Sequence, residues 1–273
     1  MPSLVGSEMC IRDRTLTLLK EKLGKPYEDL EFLLECFREV LIENNEEELA
    51  TYIPWINEHQ ALKPEELSDR HIQLYSIAFQ LLNMVEENGA VQNRRSVENL
   101  GEPEKINGLW ANNLKALKDQ HISPKEIAES LRDIRVEAVL TAHPTESKRE
   151  MVLKHHRTLY LLLVKRENSM YTNYEQVEVR KEIKLVIDRL WRTGEIYLTK
   201  PDLEDELKNV VHYLSNVFPE VLPVLDKRLQ QAWEQQGFDP ELIRNANTLP
   251  RLSFGNWVGG DRDGHPLVTS QVT

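Results

Sequence analysis

The sequence predicts a mostly α-helical protein with a few parallel strands. Apolar residues recur at three- and four-residue spacing along much of the chain, and two short β-prone segments stand about 115 residues apart with helical patterns between them. Strands joined by such long helical segments are typical of a parallel sheet or barrel. Because two strands do not form a stable sheet by themselves, we expect the sheet to be incomplete within this chain.

The first half of the chain carries the clearest helical periodicity. Its apolar spacing predicts helices over residues 27–44, 70–87 and about 108–120. The polar stretch 88–107 contains two glycines and a proline and is predicted to be a loop or irregular segment.

A short helix should begin at Ser123 and end near Asp133. Ser123 can cap the first turn, Pro124 suits the first helical position, and Glu126 can complete a capping box. Residues 136–141 are then short and β-prone, which predicts a strand.

A turn at His143-Pro144 follows this strand, because the residue before a proline is disfavoured in the helical region. We expect Thr145 to cap a helix that runs to about residue 167. Further helices are predicted over 174–197 and 203–235, the latter bent or divided at Pro219 and Pro223.

A second strand is predicted over 252–258, and it leads into a glycine-rich loop at 259–266. We divide the chain into an N-terminal helical region, 15–133, and a region of strands and inserted helices, 134–273. Residues 1–14 look like translated sequencing-adapter DNA and are set aside; an ordinary frayed terminus is the alternative. The abrupt end at 270–273 suggests a truncated reading frame.

The composition argues against several classes of function. The net charge of -11 argues against general nucleic-acid binding and against attraction to anionic membranes, and no run of eighteen apolar residues predicts a membrane span. Two cysteines, Cys10 and Cys36, are too few for a disulfide framework and have no zinc-site spacing. A reducing, cytoplasmic location is therefore expected.

His143 is the leading candidate for a catalytic residue. It stands just beyond the carboxyl end of the first predicted strand, where parallel α/β proteins bind ligands, and histidine exchanges protons near neutral pH. For a single histidine, a purely structural hydrogen bond in the turn is the more common interpretation. Basic residues at 148, 149, 154 and 157 follow it; most are interpreted as solvated charge.

The glycine-rich loop is a second candidate site. Its glycines can expose backbone N–H groups to an anion, and Arg262 can pair with a carboxylate or phosphate. The alternative is a tight turn fixed by Asp261 and Asp263. A calcium loop is excluded, because Gly259 and Ser270 would occupy the first and twelfth ligand positions.

Two motifs together resemble the phosphoenolpyruvate carboxylase family. They are the stretches 139–149, VLTAHPTESKR, and 254–266, FGNWVGGDRDGHP, with lesser likeness at 78–83, 190–196 and 200–201. The resemblance covers residues 15–273. Two positions depart from the family pattern: Glu150 replaces a usual basic residue, and His265 stands where asparagine is common.

The resemblance implies a helix-decorated, eight-stranded βα barrel of the TIM type, of which this chain holds the N-terminal portion. It implies a cytoplasmic, allosteric homotetramer that joins phosphoenolpyruvate to bicarbonate, with Mg²⁺ or Mn²⁺, to give oxaloacetate and phosphate. His143 would be the general base, and Arg262 would bind substrate or brace the barrel mouth. The metal ligands, and most sites for acidic effectors, would lie beyond Thr273, so we expect no metal ligands in this chain.

The chain alone is therefore expected to be inactive and prone to aggregate. A non-catalytic helical scaffold built on residues 15–133 is the main alternative, and a phosphohistidine carrier that uses His143 is a second.

Overall fold

A computed structural model describes residues 18, 20–56, 64–141, 150–193, 203–260 and 268–269. The described chain is mostly helical and contains two parallel strands, as the sequence predicts. The predicted adapter-derived segment, 1–14, lies outside the described residues. The α-helices and strands, in chain order, are α1 (Lys25–Glu43), α2 (Glu47–Ala50), α3 (Asp69–Asn99), α4 (Trp110–Asp119), α5 (Pro124–Asp133), β1 (Arg135–Leu140), α6 (Glu150–Arg166), α7 (Asn173–Thr193), α8 (Leu203–His212), α9 (Phe218–Gln235) and β2 (Arg251–Asn256).

The chain divides into two compact units, each made of two sequence segments. The first unit comprises 1–92 with 148–197, and the second comprises 93–147 with 198–273. These limits do not coincide with the expected boundary between 133 and 134, and the assignment of 15–133 and 134–273 as separate regions stays a prediction. Within the described helices, none is both long and apolar enough to cross a membrane.

The core of the first unit is built on the apolar face of α1. Leu33, Leu34, Phe37 and Leu41 are fully buried at the spacing that predicted the helix. Phe37 meets Trp191 of α7 edge-on, with ring centroids 6.0 Å apart. Each such side chain contributes roughly 1.5–3 kcal/mol on burial, so this stripe is a main source of cohesion between the helices.

The prediction of a loop directly after residue 87 is wrong, because α3 continues without interruption to Asn99. Tertiary contacts explain the difference. Asn88 is buried and donates a hydrogen bond to Glu167 Oε1 at 2.6 Å, and the Gln92 amide donates to Glu167 Oε2 at 2.5 Å. A Cβ atom on Gly89 would lie 3.2 Å from the Pro26 ring, so the glycine permits close packing instead of ending the helix.

Ion pairs join α1 to α7 along the solvent side of this core. Glu39 accepts hydrogen bonds from Arg180 Nη2 at 2.5 Å and contacts Lys184 Nζ at 2.9 Å. The hydrogen bond from Lys184, with that from Arg180, holds the pKa of Glu39 below its usual value despite partial burial.

In the second unit, α5 begins as the sequence predicts. Ser123 Oγ accepts a hydrogen bond from the Glu126 backbone N–H at 3.3 Å, and Glu126 Oε2 accepts one from the Ser123 N–H at 3.0 Å, so the capping box is confirmed. The helix packs Ile127 and Leu131 into a core that contains Trp233 of α9.

A single residue, Ile134, connects α5 to β1. Its N–H donates to Leu131 O of the helix at 3.2 Å, and its carbonyl accepts from the Arg251 N–H of β2 at 3.1 Å. This one residue thus ends the helix with its N–H and begins the sheet with its carbonyl.

The helical stretch 203–235 is divided, as predicted, although not at its prolines. A π-helical turn at Tyr213–Val217 separates α8 from α9. Pro219 lies in the first turn of α9, directly after the π-helical turn, and Pro223 lies inside the helix.

The two strands pair in parallel, from Arg135 opposite Arg251 to Leu140 opposite Asn256. Phe254 of β2 stacks on Phe218 of α9 at a centroid distance of 4.0 Å. Val136 and Val139 of β1 are each 51% exposed, so apolar surface of the sheet stays open within the described chain.

We predict that Gly89→Val destabilises the first unit by about 1–3 kcal/mol, because the new side chain must enter the space filled by Pro26. Urea unfolding followed by circular dichroism measures this change. Ala90→Val, at an exposed position one residue later, is the matched control and should cost well under 1 kcal/mol. Equal stability of the Gly89→Val variant and the parent would show that the helices are not in tight contact there.

We also predict that acid weakens the first unit, in part through Glu39. A carboxyl whose folded-state pKa is lowered stabilises the fold above its unfolded-state pKa of about 4, and this contribution is lost as the pH falls through the folded-state value. The urea midpoint should drop between pH 6 and pH 3, and it should drop less in Glu39→Gln. An identical pH dependence in both proteins would contradict this role.

Candidate functional site

The carboxyl edge of the two-stranded sheet is the place where both sequence motifs begin. Leu140 and Asn256, the last residues of the two strands, are register partners. The Trp257 N–H extends the pairing by donating to Leu140 O at 2.9 Å. The chain therefore leaves both strands at one edge, which is the edge where parallel sheets bind ligands.

The two predicted site residues follow this edge closely in sequence. His143 comes three residues after Leu140, and Arg262 comes six residues after Asn256. Both residues lie outside the part of the chain that the structure describes. Their roles as catalytic base and substrate ligand stay predictions.

A tight turn over Asn256–Gly260 follows β2. Asn256 Oδ1 accepts a hydrogen bond from the Val258 N–H at 3.2 Å, and Trp257 O accepts one from the Gly260 N–H at 2.9 Å. Gly259 has φ of +75°, which the third position of a type II turn requires. The predicted strand over 252–258 therefore ends two residues early, because Trp257 and Val258 belong to the turn.

Trp257 is a feature of this edge that the sequence analysis did not single out. Its side chain is 55% exposed although it is the largest residue at the edge. A Cβ atom on Gly260 would lie 3.2 Å from the Trp257 ring and from its carbonyl oxygen, so the indole rests against the glycine. The signal for this arrangement was present in the sequence as a tryptophan followed closely by two glycines.

The basic residues after the first motif are only partly described. Lys148 and Arg149 lie outside the described residues, while Lys154 and Arg157 lie on α6 in the first compact unit and are exposed. Burial, followed by the charge of Arg189, lowers the pKa of His155 on the same helix.

The described residues do not offer a metal centre. Among them, no group of three or more histidine, cysteine, aspartate or glutamate side chains is arranged to hold a metal ion. Cys36 is fully buried, and burial raises the pKa of its thiol to about 11, so it stays a protonated core residue at neutral pH.

The comparison with known families decides the identity of the two motifs. A family model described as phosphoenolpyruvate carboxylase matches residues 13–273, which include both of them. The chain belongs to the phosphoenolpyruvate carboxylase family. The resemblance seen in the sequence is thereby confirmed.

Curated phosphoenolpyruvate carboxylases agree with this assignment. The chain is 36% identical to the protein of Methylorubrum extorquens strain AM1 over 214 residues, which cover 77% of the chain and 22% of that protein. It is 33% identical to phosphoenolpyruvate carboxylase 1 of Chlamydomonas reinhardtii over 220 residues, 78% of the chain and 21% of the relative. It is 33% identical to the phosphoenolpyruvate carboxylase of Gloeobacter violaceus over 202 residues, which cover 74% of the chain and 21% of that protein. The chain thus spans about a fifth of the length of the carboxylases that it matches.

We predict that Gly260→Ala displaces the Trp257 indole, because the added methyl group would overlap the ring. The five tryptophans give five indole N–H signals in a spectrum of the ¹⁵N-tryptophan-labelled chain fused to a soluble carrier that lacks tryptophan, and Trp257→Phe identifies the relevant one. Gly260→Ala should shift that signal, whereas Val258→Ala, in the same turn, should leave it nearly unchanged. A Gly260→Ala spectrum that overlays the parent would show that the ring does not rest on Gly260.

Proposed function

We propose that this chain forms the N-terminal part of a phosphoenolpyruvate carboxylase, a lyase that joins phosphoenolpyruvate to bicarbonate and releases oxaloacetate and phosphate. The observation that carries the proposal is that both motifs begin on paired residues at the carboxyl ends of one parallel strand pair, in a chain that matches the family model. A helical scaffold has no need for this arrangement, because strand ends 116 residues apart in sequence would not have to meet.

In the proposed reaction, a bicarbonate oxygen attacks the phosphoryl group of phosphoenolpyruvate. The phosphorus–oxygen bond to the enol breaks, giving carboxyphosphate and an enolate. Carboxyphosphate then loses its proton and splits into CO₂ and phosphate, and the enolate carbon attacks CO₂ to form oxaloacetate. None of these steps requires an oxidant or a reductant.

His143 is the proposed base that accepts the carboxyphosphate proton. A neutral imidazole near pH 7 suits this step, because it takes up a proton without having to lose one first. His143 follows the last residue of β1 by three positions in the sequence. CO₂ released beside this edge would be held near the enolate, which favours capture over escape.

Arg262 is the proposed ligand for the carboxylate or phosphate of the substrate. Its guanidinium can make paired hydrogen bonds to either group. The turn at Asn256–Gly260, with its hydrogen bonds and its positive-φ glycine, ends two residues before Arg262 in the sequence. A role in bracing the barrel mouth is the alternative for this residue.

The family implies Mg²⁺ or Mn²⁺, whose usual ligands are carboxylates and substrate oxygens. The described residues lack a suitable carboxylate set, and they do not fit the ion. From the family resemblance, we propose that the metal ligands belong to the part of the family's polypeptide that this chain does not match.

The open strand surface supports a further structural proposal. Val136 and Val139 lie on opposite faces of β1, and they would be covered when additional strands and outer helices complete the eight-stranded barrel of a cytoplasmic homotetramer. Without those partners, the isolated chain should be inactive and should aggregate through its exposed strands and apolar patches.

We predict that His143→Asn abolishes most oxaloacetate formation in a chimera in which residues 15–273 replace the matching segment of the Methylorubrum extorquens carboxylase. Loss of a positioned base typically lowers the rate about 10²–10⁴-fold. Oxaloacetate is followed by coupled reduction to malate, and phosphate release is measured in parallel. The isolated 273-residue chain, assayed beside the chimera, should form no oxaloacetate.

His121→Asn, in an exposed turn of the second unit, is the matched control and should keep the activity of the unmodified chimera. Normal carboxylation by the His143→Asn chimera would refute the base role. Stable, acid-labile phosphate on His143 after incubation with a phosphodonor would instead support a phosphohistidine carrier.

A further inference from the structure

The first compact unit contains a groove that neither motif uses. It lies between the start of α1, the end of α6 and the first turns of α7, and its volume is 610 Å³. Grooves of this size accept small organic molecules. We call it the α1–α7 groove and define it by Lys25, Glu28, Phe32, Arg166, Val177 and Arg180.

The accessible charge in this groove is positive, although the chain as a whole is acidic. Lys25, Arg166 and Arg180 have side chains that are 52%, 28% and 34% exposed. The acids that neutralise the first two are recessed, because the Asp29 side chain is 3% exposed and that of Glu167 is 12% exposed. Lys25 and Arg166 are therefore more exposed than Asp29 and Glu167, the acids that pair with them.

Each arginine is oriented by a carboxylate. Arg166 Nη1 donates to Asp29 Oδ1 at 2.6 Å, and Lys25 Nζ donates to Asp29 Oδ2 at 2.7 Å. Arg180 is held by the Glu39 carboxylate described above. A guanidinium carries five N–H donors, so one carboxylate fixes its direction and leaves capacity for a second anion.

An aromatic ring adds an apolar side to the same groove. The guanidinium carbon of Arg166 lies 4.0 Å from the centroid of the Phe32 ring, and that of Arg180 lies 5.1 Å from it. Stacking on one ring fixes both cations further. Val177, half exposed on α7, extends the apolar surface.

We propose that the α1–α7 groove binds a small organic anion, a molecule with a carboxylate or phosphate group on a planar or apolar body. The anionic group would take N–H donors from Arg166 and Arg180, and the body would lie against Phe32 and Val177. Of the described acids that line the groove, Glu28 is the one that is well exposed, so it opposes anion binding. The binding does not depend on the proposed carboxylase activity.

The experiment uses the full chain as a fusion to a soluble carrier, with the carrier alone as a blank. The probes are 4-fluorophenyl phosphate, 4-fluorobenzoate and the neutral 4-fluorobenzyl alcohol, each titrated at pH 7 and followed by the ¹⁹F line width. At least one anionic probe should show saturable broadening, and the neutral probe should bind at least tenfold more weakly. The two anions distinguish a phosphate from a carboxylate preference.

Three variants test the location without breaking an ion pair. Val177→Glu should weaken binding about threefold or more through repulsion, whereas Val177→Gln, which has nearly the same shape, should change it much less. Glu28→Gln should strengthen binding by about threefold, because it removes the exposed opposing charge. Circular dichroism verifies that each variant keeps the helix content of the parent.

Saturable binding of an anion with these opposite effects of Val177→Glu and Glu28→Gln would support the proposal. It would be overturned by broadening no greater than that of the carrier, by equal binding of the neutral probe, or by affinities that none of the variants changes. Those results would mean that the ion pairs of the groove have only a structural role, which is to hold α1 against α6 and α7.

Discussion

The parallel pairing of β1 with β2 is the constraint on which the candidate site depends. A parallel pair cannot be closed by a tight turn, so the chain must travel through four of the α-helices, α6 to α9, before the second strand can align with the first. Closing so long a connection has an entropic cost that grows slowly with length, and the buried cores along the way offset it. The register of the pair then places Leu140 beside Asn256, so the two motifs begin next to each other.

Around Asp29, in the first unit, opposite charges lie at different depths. Recessed carboxylates, above all Asp29, lie behind cations that reach the surface. A buried carboxylate would be strongly destabilising if it were left alone, so the pairing with Arg166 and Lys25 is obligatory for this packing. The same pairing orients the arginine. A structural requirement of the core therefore also shapes the surface of the groove, which is why the acidic net charge of the chain says little about this region.

Local patterns in the sequence predict much of this fold. The apolar stripe of α1, the capping box of α5 and the change of period at β1 each depend on neighbours within a few residues, and each was confirmed. The continuation of α3 was missed because Gly89 reads as a helix breaker until Pro26 is known to lie against it. The groove was missed because it also depends on a tertiary contact: Asp29 and Arg166 are 137 residues apart in sequence and form an ion pair only in the folded chain. For the site, the sequence predicted both strands, although it placed the end of β2 two residues too late, and it could not reveal that the exposed Trp257 lies against Gly260.

The single-residue junction at Ile134 couples the position of β1 to the end of α5, because Ile134 is hydrogen-bonded to both the helix and β2. Side chains on a strand alternate between faces, so one inserted or deleted residue here would reverse the faces of β1 or shift its partners along β2. Either change would carry the first motif away from the second. Homologous chains should therefore keep this junction at constant length and confine their insertions to segments such as the turns between α3 and α4, where the ends are not tied to a sheet register.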